Sequence, residues 1–354
     1  MVAQTIIWFY QKAAGSLLLF CALVFLFCAQ VTWGQASVAL RESRLFATLP
    51  ESCPTPDSFT LTSAGDLILT CPNYAEKNTQ GSLMRLNSDG EFVSLGDFYL
   101  NAEQVNVRPM GIVRGDDEIL YMCGSVNGKG LVFRVTIEAN KIDLEVIASG
   151  LNGANGIRYL DGAIYVTTPG LPKISKSKNI GGIYRFEVSD RDIPIIGDST
   201  DTQLIFTHET QNPERQFGLD GIAVDSKGKL YVGDFGDGVV YRMKIRKGQV
   251  NKIKVFCQVP NTTGLDGMCF DTKDNLYMAG FSQNEIWKAN TAGKVSLIAK
   301  NADAPYSIDA LDQPADVFVY GNKLLISNFD LMVTKGMINS AHEAPHTISY
   351  IELD

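Results

Sequence analysis

Six short phrases recur along the chain, and the residue at the centre of five of them is Asp or Asn. The six central residues are Asp57, Met110, Asn155, Asp220, Asp266 and Asp316. Carboxylate and amide oxygens are the ligands that hard divalent cations prefer, and a carboxylate can also act as a general base or a nucleophile. A fold that gathers these residues at one point would therefore create an oxygen-lined cation site.

Asp-Gly and Asn-Gly are also common turn sequences, so one such phrase alone indicates little. Several carboxylates that converge on one narrow space are different, because they repel one another unless a cation or protons neutralise them. The repetition of the phrase, rather than any single copy, favours a bound cation.

The spacing of the phrases indicates the fold that would gather them. The central residues follow one another at steps of 53, 45, 65, 46 and 50 residues, and most are followed by an apolar run, a polar turn and a second apolar run. Repeats of this length with about four short strands are typical of propeller blades. The sequence therefore predicts an all-β fold, a six-bladed β-propeller of four-stranded blades, with each central residue just before the strand that lines the channel.

The last repeat has only three strands, so residues 43–49 are predicted to add its outer strand and close the ring. Two connections within repeats are unusually long, residues 169–182 and 328–346. Both are expected on the face of the disc that carries the central residues, so we expect both to overhang them. Long loops within a compact repeat are often functional.

Composition limits the choice of partner. Acidic residues outnumber basic ones by 39 to 31, which gives a net charge of −8. This excess of negative charge, without a basic stripe, argues against nucleic acid as a partner. The hydrophobic fraction of 45% is enough for a sizeable core.

The N-terminal segment has the features of a leader. Residues 13–29 form an apolar run behind Lys12, and residues 34–36 offer small side chains for cleavage. The run is slightly shorter than the roughly 20 residues that a membrane span needs. Residues 1–36 are therefore predicted to be a signal peptide, with an uncleaved membrane anchor as the alternative. Residues 37–354 would then form a single exported propeller domain, periplasmic or extracellular, that meets a membrane only through an uncleaved leader.

Five cysteines remain after residue 36, and an exported protein can form disulfides. Cys53 and Cys71 flank the first predicted hairpin and are the best candidates for a pair. The odd count leaves at least one thiol free.

Two phrases, residues 153–157 and 218–225, resemble the SMP-30/gluconolactonase/LRE-like family, which contains senescence marker protein 30 and gluconolactonase. The family is related to diisopropylfluorophosphatase and paraoxonase, and the likeness covers roughly residues 45–354. It implies a divalent cation at the channel mouth, typically Ca²⁺, or another such as Mg²⁺, Mn²⁺ or Zn²⁺.

By the order of the blades, the family's four metal ligands fall on Asp57, Asn155, Asp220 and Asp266. Asn155 and Asp266 keep the family's residue types, whereas Asp57 stands in place of a Glu and Asp220 in place of an Asn. Glu51, which precedes Asp57 by six residues, is the alternative ligand from the first blade.

The resemblance implies an exported Ca²⁺-dependent hydrolase of lactones or related esters, acting on a small-molecule substrate. The cation would serve as a Lewis acid, while a carboxylate activates water or attacks directly. Blade order assigns that catalytic carboxylate to Asp266, with Asp220 as the second candidate. The alternative is a non-catalytic propeller that binds a ligand or a protein and has a structural cation, which Met110 favours because it offers no hard ligand.

Overall fold

The computed structural model describes residues 39–75, 79–303 and 307–353, and these residues form mainly β-strands. The strands are, in chain order, β1 (Arg44–Thr48), β2 (Phe59–Leu61), β3 (Leu67–Cys71), β4 (Ser82–Leu86), β5 (Phe92–Ser94), β6 (Asp97–Leu100), β7 (Glu103–Gln104), β8 (Arg108–Arg114), β9 (Leu120–Val126), β10 (Lys129–Glu138), β11 (Lys141–Leu151), β12 (Ile157–Leu160), β13 (Ala163–Thr168), β14 (Ile180–Glu187), β15 (Ile193–Pro194), β16 (Leu204–Glu209), β17 (Leu219–Val224), β18 (Leu230–Asp234), β19 (Val239–Arg246), β20 (Gln249–Gln258), β21 (Leu265–Phe270), β22 (Leu276–Gly280), β23 (Glu285–Ala289), β24 (Val295–Lys300), β25 (Pro314–Tyr320), β26 (Lys323–Asn328) and β27 (Thr347–Glu352). A 3₁₀ turn, Phe281–Gln283, follows β22.

The predicted leader, residues 1–36, lies outside the described residues. Within the described part of the chain, no helix is long and apolar enough to cross a membrane.

The described strands form six sheets, and five of these contain four strands each. Their strand orders are β2-β3-β4-β5, β12-β13-β14-β16, β17-β18-β19-β20, β21-β22-β23-β24 and β1-β27-β26-β25. Neighbouring strands in these sheets pair antiparallel. The arrangement is all-β and propeller-like, and the prediction of four-stranded blades is confirmed for these five sheets.

The prediction is wrong for the remaining sheet, which contains seven strands. Strands β8 to β11 form the expected meander, but β11 also pairs in parallel with β6 and with β15, and β7 extends β6. The outer strand β11 is 11 residues long and would otherwise present a long row of unpaired backbone groups. Strand β6, from the connection before β8, and strand β15, from the connection between β14 and β16, therefore cover the edge of β11.

The predicted closure by an N-terminal strand is observed. Strand β1 pairs antiparallel with β27, with Arg44 opposite Tyr350 and Thr48 opposite Thr347. The first and last described strands thus share one sheet, and the described residues from Leu40 onwards form one compact unit.

Six apolar clusters of described residues each lie between two neighbouring sheets. One of them joins Ala223 and Val240 of the β17–β20 sheet to Leu265 and Met278 of the next sheet. Strands β3, β13, β18 and β22 are buried along their whole length. A strand buried on both faces has a continuous apolar sequence rather than an alternating one, which explains the second apolar run of each repeat.

Cys53 and Cys71 form a disulfide, as the sequence predicts. Thr70, which precedes Cys71, accepts a hydrogen bond at its carbonyl oxygen from the backbone N–H of Asp57 at 2.8 Å. The disulfide therefore ties the segment that carries Asp57 to strand β3. The free thiols among the described residues are Cys123, Cys257 and Cys269.

Replacing both Cys53 and Cys71 by Ser should lower the free energy of unfolding by about 3 kcal/mol, because the disulfide restricts a loop of sequence separation 18 in the unfolded chain. Urea denaturation of the two proteins measures the difference. A reductant should move the midpoint of the unmodified protein towards that of the double variant and leave the variant unchanged. Equal midpoints under oxidising conditions would contradict this contribution.

Candidate metal centre

The inner strands are irregular at the positions of the central residues. The register between β17 and β18 shifts between Leu219 and Ile222, so Asp220 lies within a β-bulge. The same shift occurs around Asp266 in β21, and strands β8 and β25 also have it. Bulges re-aim side chains where the pairing is interrupted and are common beside active sites.

The backbones of neighbouring sheets approach closely beside the central residues, so the residue after a central one has room only for glycine at the positions below. A Cβ atom at Gly221 would lie 2.1 Å from the carbonyl oxygen of Asp266, and one at Gly156 would lie 2.7 Å from that of Asp220. Both distances are shorter than real Cβ contacts. The repeated Asp-Gly and Asn-Gly pairs therefore let the inner strands close around a narrow channel.

Two hydroxyl groups link the central residues of neighbouring sheets. Thr167 Oγ1 accepts a hydrogen bond from the N–H of Gly156 at 2.9 Å and donates to the carbonyl oxygen of Asp220 at 2.5 Å. Ser327 Oγ similarly donates to the carbonyl oxygen of Asp57. These hydrogen bonds fix the main chain of one central residue to the sheet before it.

The structure corrects the sixth central residue, which is Ala315 rather than Asp316. The register of β25 shifts between Pro314 and Val317, so Ala315 occupies the first position of the bulge. Asp316 takes the place that glycine has in four of the other sheets, with its N–H donating to Ser327 Oγ at 2.9 Å. The prediction is wrong because the acidic residue of this phrase lies one position later than in the others, at the position where four of them have glycine. Four central positions, not five, thus carry a carboxylate or an amide.

Asp57, Asn155, Asp220 and Asp266, hereafter the ring residues, line both of two cavities. The larger one, which we call the mouth cavity, has a volume of about 330 Å³. The smaller one, the channel cavity, has a volume of about 20 Å³, which is room for one water-sized species. The structure therefore brings all four predicted ligands together, whereas Glu51 is exposed and lines neither cavity. Their role as ligands stays a prediction.

Burial and mutual repulsion shape the acid–base behaviour of the ring. Asp57 and Asp220 are 8% and 2% exposed, whereas Asn155 and Asp266 are partly exposed. Burial first, and then the charges of Asp316 and Asp220, raise the pKa of Asp57 well above its usual value. Burial and neighbouring carboxylates also raise the pKa of Asp220 to about 8 and that of Asp266 well above normal. A bound cation would favour the ionised forms instead.

The donor set fits a hard cation. The Oδ1 atom of Asp220 is buried and has no hydrogen-bond partner within the protein, and leaving such an atom without a partner is costly. Three carboxylates and one amide, without His or Cys, suit Ca²⁺ better than Zn²⁺. The residues present therefore fit the predicted cation.

The most compact sets of possible metal ligands lie outside the ring. Among the described residues, three ligand atoms come within 4.8 Å of one another in two sets, His208-Asp234-Asp237 and Asp312-Asp330-Glu343. The ring carboxylates do not form such a set, so at least one pair of their oxygens is farther apart. Binding of one cation by all four ring residues therefore requires their side chains to rotate towards a common point.

Arg158 is a channel residue that the sequence patterns did not single out. It lines the channel cavity and donates a hydrogen bond to the carbonyl oxygen of Met268 at 3.0 Å. Burial raises the pKa of Asp316, and the positive charge of Arg158 opposes that rise. The signal that could have identified Arg158 is a charged residue in the otherwise apolar strand β12.

The two long connections differ in their relation to the ring. Residues 328–346 overhang it as predicted, and four of them line the mouth cavity: Phe329, Leu331, Met332 and Met337. Residues 169–182 are not among the described residues that line the mouth cavity, so their predicted overhang is not observed at that cavity. It lines a separate surface cavity with Asn152 and Gln216.

The sheets and the ring define a propeller-like protein with an oxygen-lined channel. Comparison of the sequence with family models shows which family part of the chain resembles. The model described as the SMP-30/Gluconolactonase/LRE-like region matches residues 154–303, a span that contains Asn155, Asp220 and Asp266. The resemblance to this family is therefore confirmed over those residues. A search of curated proteins found no match.

Solved structures with similar folds include proteins of different activity. A PQQ-bound aldose sugar dehydrogenase from Streptomyces coelicolor has a TM-score of 0.57 and 15% identity, over 90% of this chain and 99% of that one. A gluconolactonase from Xanthomonas campestris has a TM-score of 0.55 and 13% identity, over 89% and 96%. The calcium-binding protein regucalcin from Agrobacterium tumefaciens has a TM-score of 0.57 and 14% identity, over 90% and 97%. At such identities the likeness shows the fold alone.

The free energy of unfolding of the cation-free protein should fall as the pH rises from about 5 to about 8. The raised pKa values of Asp57, Asp220 and Asp266 mean that the folded protein holds more protons than the unfolded chain in this range. The contribution of these three groups to the free energy of unfolding is present in full below the pKa of Asp in the unfolded chain. It is lost as the pH rises through their pKa values in the folded protein. Denaturation with a chelator at several pH values measures the slope.

Asp220→Asn should make that slope shallower, whereas Glu51→Gln, which removes an exposed acid near Asp57, should leave it unchanged. Adding Ca²⁺ to about 100 Kd should stabilise the unmodified protein at the upper pH by about 2.7 kcal/mol. If Asp220→Asn leaves the slope unchanged, Asp220 is not one of the groups that hold extra protons in the folded protein.

Proposed function

We propose that this protein is an exported hydrolase of lactones or related small esters that depends on a divalent cation, for which Ca²⁺ is the best fit. The observation that carries the proposal is the grouping of three carboxylates and one amide on one cavity large enough for a small substrate. The family match over residues 154–303 supports the reaction class, while the fold alone does not define an activity. Export rests on the apolar run at residues 13–29.

Asp57, Asn155, Asp220 and Asp266 would hold the cation at the boundary of the two cavities. When bound, it supplies a Lewis acid for the carbonyl oxygen of the substrate. Asp57 and Asp220 are the more buried of the four, so they suit a holding role rather than contact with substrate.

Asp266 is the better candidate for the general base. Its side chain lines the mouth cavity and is partly exposed, so it can contact a water molecule beside the substrate. Asp266 would take the proton from the water that attacks the carbonyl carbon.

The connection 328–346 would shield the reaction from bulk water. Its position is fixed by hydrogen bonds to Gln313, whose side chain accepts from the N–H groups of Leu331 and Met332 and donates to the carbonyl oxygen of Met332. Ile338 also donates through its N–H to the carbonyl oxygen of Ser282 at 2.8 Å. The overhanging segment is therefore held in place over the mouth cavity.

A non-catalytic ligand-binding propeller is the second candidate. Two of the six central positions, Met110 and Ala315, offer no polar side chain to a substrate or a cation. The cation would then act as a structural link between sheets, and chelation would reduce stability without affecting any turnover.

Asp266→Asn should lower kcat for lactone hydrolysis by at least about a hundredfold, the lower range of general-base catalysis, while the variant still binds Ca²⁺. Asp220→Asn restores the residue type that the family resemblance implies, so it should retain far more activity. Initial rates on a panel of lactones and aryl esters, with Ca²⁺ and after chelation, provide the measurement.

Glu51→Gln is the matched control and should leave both the rate and Ca²⁺ affinity unchanged. Loss of activity in Asp220→Asn with normal activity in Asp266→Asn would reverse the two assigned roles. Hydrolysis that persists in full in protein shown to be free of metal would remove the cation from the mechanism.

A further inference from the structure

Aromatic rings form a continuous arc around the mouth cavity. Phe217 packs edge-on against Phe235 at a centroid distance of 5.1 Å, and Phe235 lies 6.0 Å from Phe281. Phe281 lies 5.8 Å from Phe329, which is 6.5 Å from Tyr74. All five side chains line the mouth cavity. Its wall is therefore apolar over four successive sheets.

The arc has a simple structural origin. Strands β18, β22 and β26 are the second strands of their sheets, and the residue directly after each is Phe235, Phe281 or Phe329. Tyr74 follows β3, the second strand of the next sheet, by three residues. Three sheets thus send an aromatic side chain from the same structural position, and a fourth sends Tyr74 from close to it, which makes the arc a built feature of this face.

Apart from the ring residues, two polar side chains from the described part of the chain line the mouth cavity, Arg215 and Tyr74. Arg215 donates to the carbonyl oxygens of Thr262 at 2.9 Å and Gly336 at 3.1 Å, and its guanidinium lies 5.7 Å from the centre of the Phe235 ring. The hydroxyl group of Tyr74 interacts with Ser125. Among the described residues that line the cavity, open polar groups are therefore concentrated in the ring.

This distribution decides between classes of substrate. A sugar lactone carries several hydroxyl groups, and burying a hydroxyl group without a partner costs free energy. An alkyl or aryl group, in contrast, gains free energy from contact with the aromatic wall. The ring would receive the ester group of either substrate. The rest of the substrate, hydroxylated or apolar, therefore determines which of the two binds better.

We infer that the mouth cavity selects lactones or esters with an apolar alkyl or aryl body over sugar lactones. The inference rests on the proposed function for its ester group and on the aromatic arc for its apolar body.

The test compares kcat/KM for γ-lactones with alkyl side chains of increasing length against D-glucono-δ-lactone. Each added methylene should raise kcat/KM by roughly fourfold, the value for full burial of one CH₂ group, until the cavity is filled. The sugar lactone should be the poorest substrate of the set. Equal or faster turnover of the sugar lactone, without a dependence on chain length, would overturn the inference and leave the hydrolase proposal intact.

Two neighbouring residues on the overhanging segment provide matched variants. Met332 is 40% exposed and lines the mouth cavity, whereas Val333 is 57% exposed and does not line it. Met332→Ser should weaken the dependence on chain length, and Val333→Ser should preserve it. Because both side chains are well exposed, neither change should disturb folding, which thermal melting can verify. The same chain-length dependence in both variants would contradict the role of the wall.

Alkyl γ-lactams, which resist hydrolysis, separate binding from chemistry in a calorimetric titration. Affinity that rises with chain length, in protein that hydrolyses none of the lactones, would support the apolar cavity and reject the hydrolase. Absence of lactam binding together with absence of chain-length dependence in kcat/KM would overturn the inference.

Discussion

The carboxyl groups of Asp57, Asp220 and Asp266 lie close enough in the channel to disturb one another, and their repulsion must be balanced before the sheets can pack around them. Burial and neighbouring charges raise the pKa of all three. Protons can provide the balance in the cation-free protein, and a divalent cation can provide it with the carboxylates ionised. The stability of the fold and the chemistry of the site are therefore linked through the same three groups.

The main chain explains how the ring is assembled. Bulges in the inner strands turn the central side chains away from regular pairing, and close contacts at Gly156 and Gly221 allow neighbouring strands to meet. The hydroxyl groups of Thr167 and Ser327 then fix one sheet to the next. The ring residues and most of the aromatic wall of the mouth cavity come from positions that recur in successive sheets.

Local patterns predicted much of this arrangement. Repeated Asp-Gly and Asn-Gly pairs identified Asn155, Asp220 and Asp266, and the spacing of the repeats added Asp57. The placement of Cys53 and Cys71 around one hairpin identified the disulfide. The pattern failed at Ala315, because the acidic residue of that phrase, Asp316, lies one position after the central one. It also failed where pairing was non-local, because nothing in β6 or β15 shows that both pair with β11. The aromatic arc joins residues distant in sequence, and only the strand boundaries show that they occupy equivalent positions.

An anomalous difference map at long wavelength, from a crystal grown with Ca²⁺, would show whether the ring residues bind the cation. We expect a peak between the two cavities, with oxygens of Asp57, Asn155, Asp220 and Asp266 about 2.3–2.6 Å away. Their side chains should have rotated towards that point. A ring without a peak, or a peak only at the Asp312-Asp330-Glu343 set, would contradict the assignment of the ring as the metal centre.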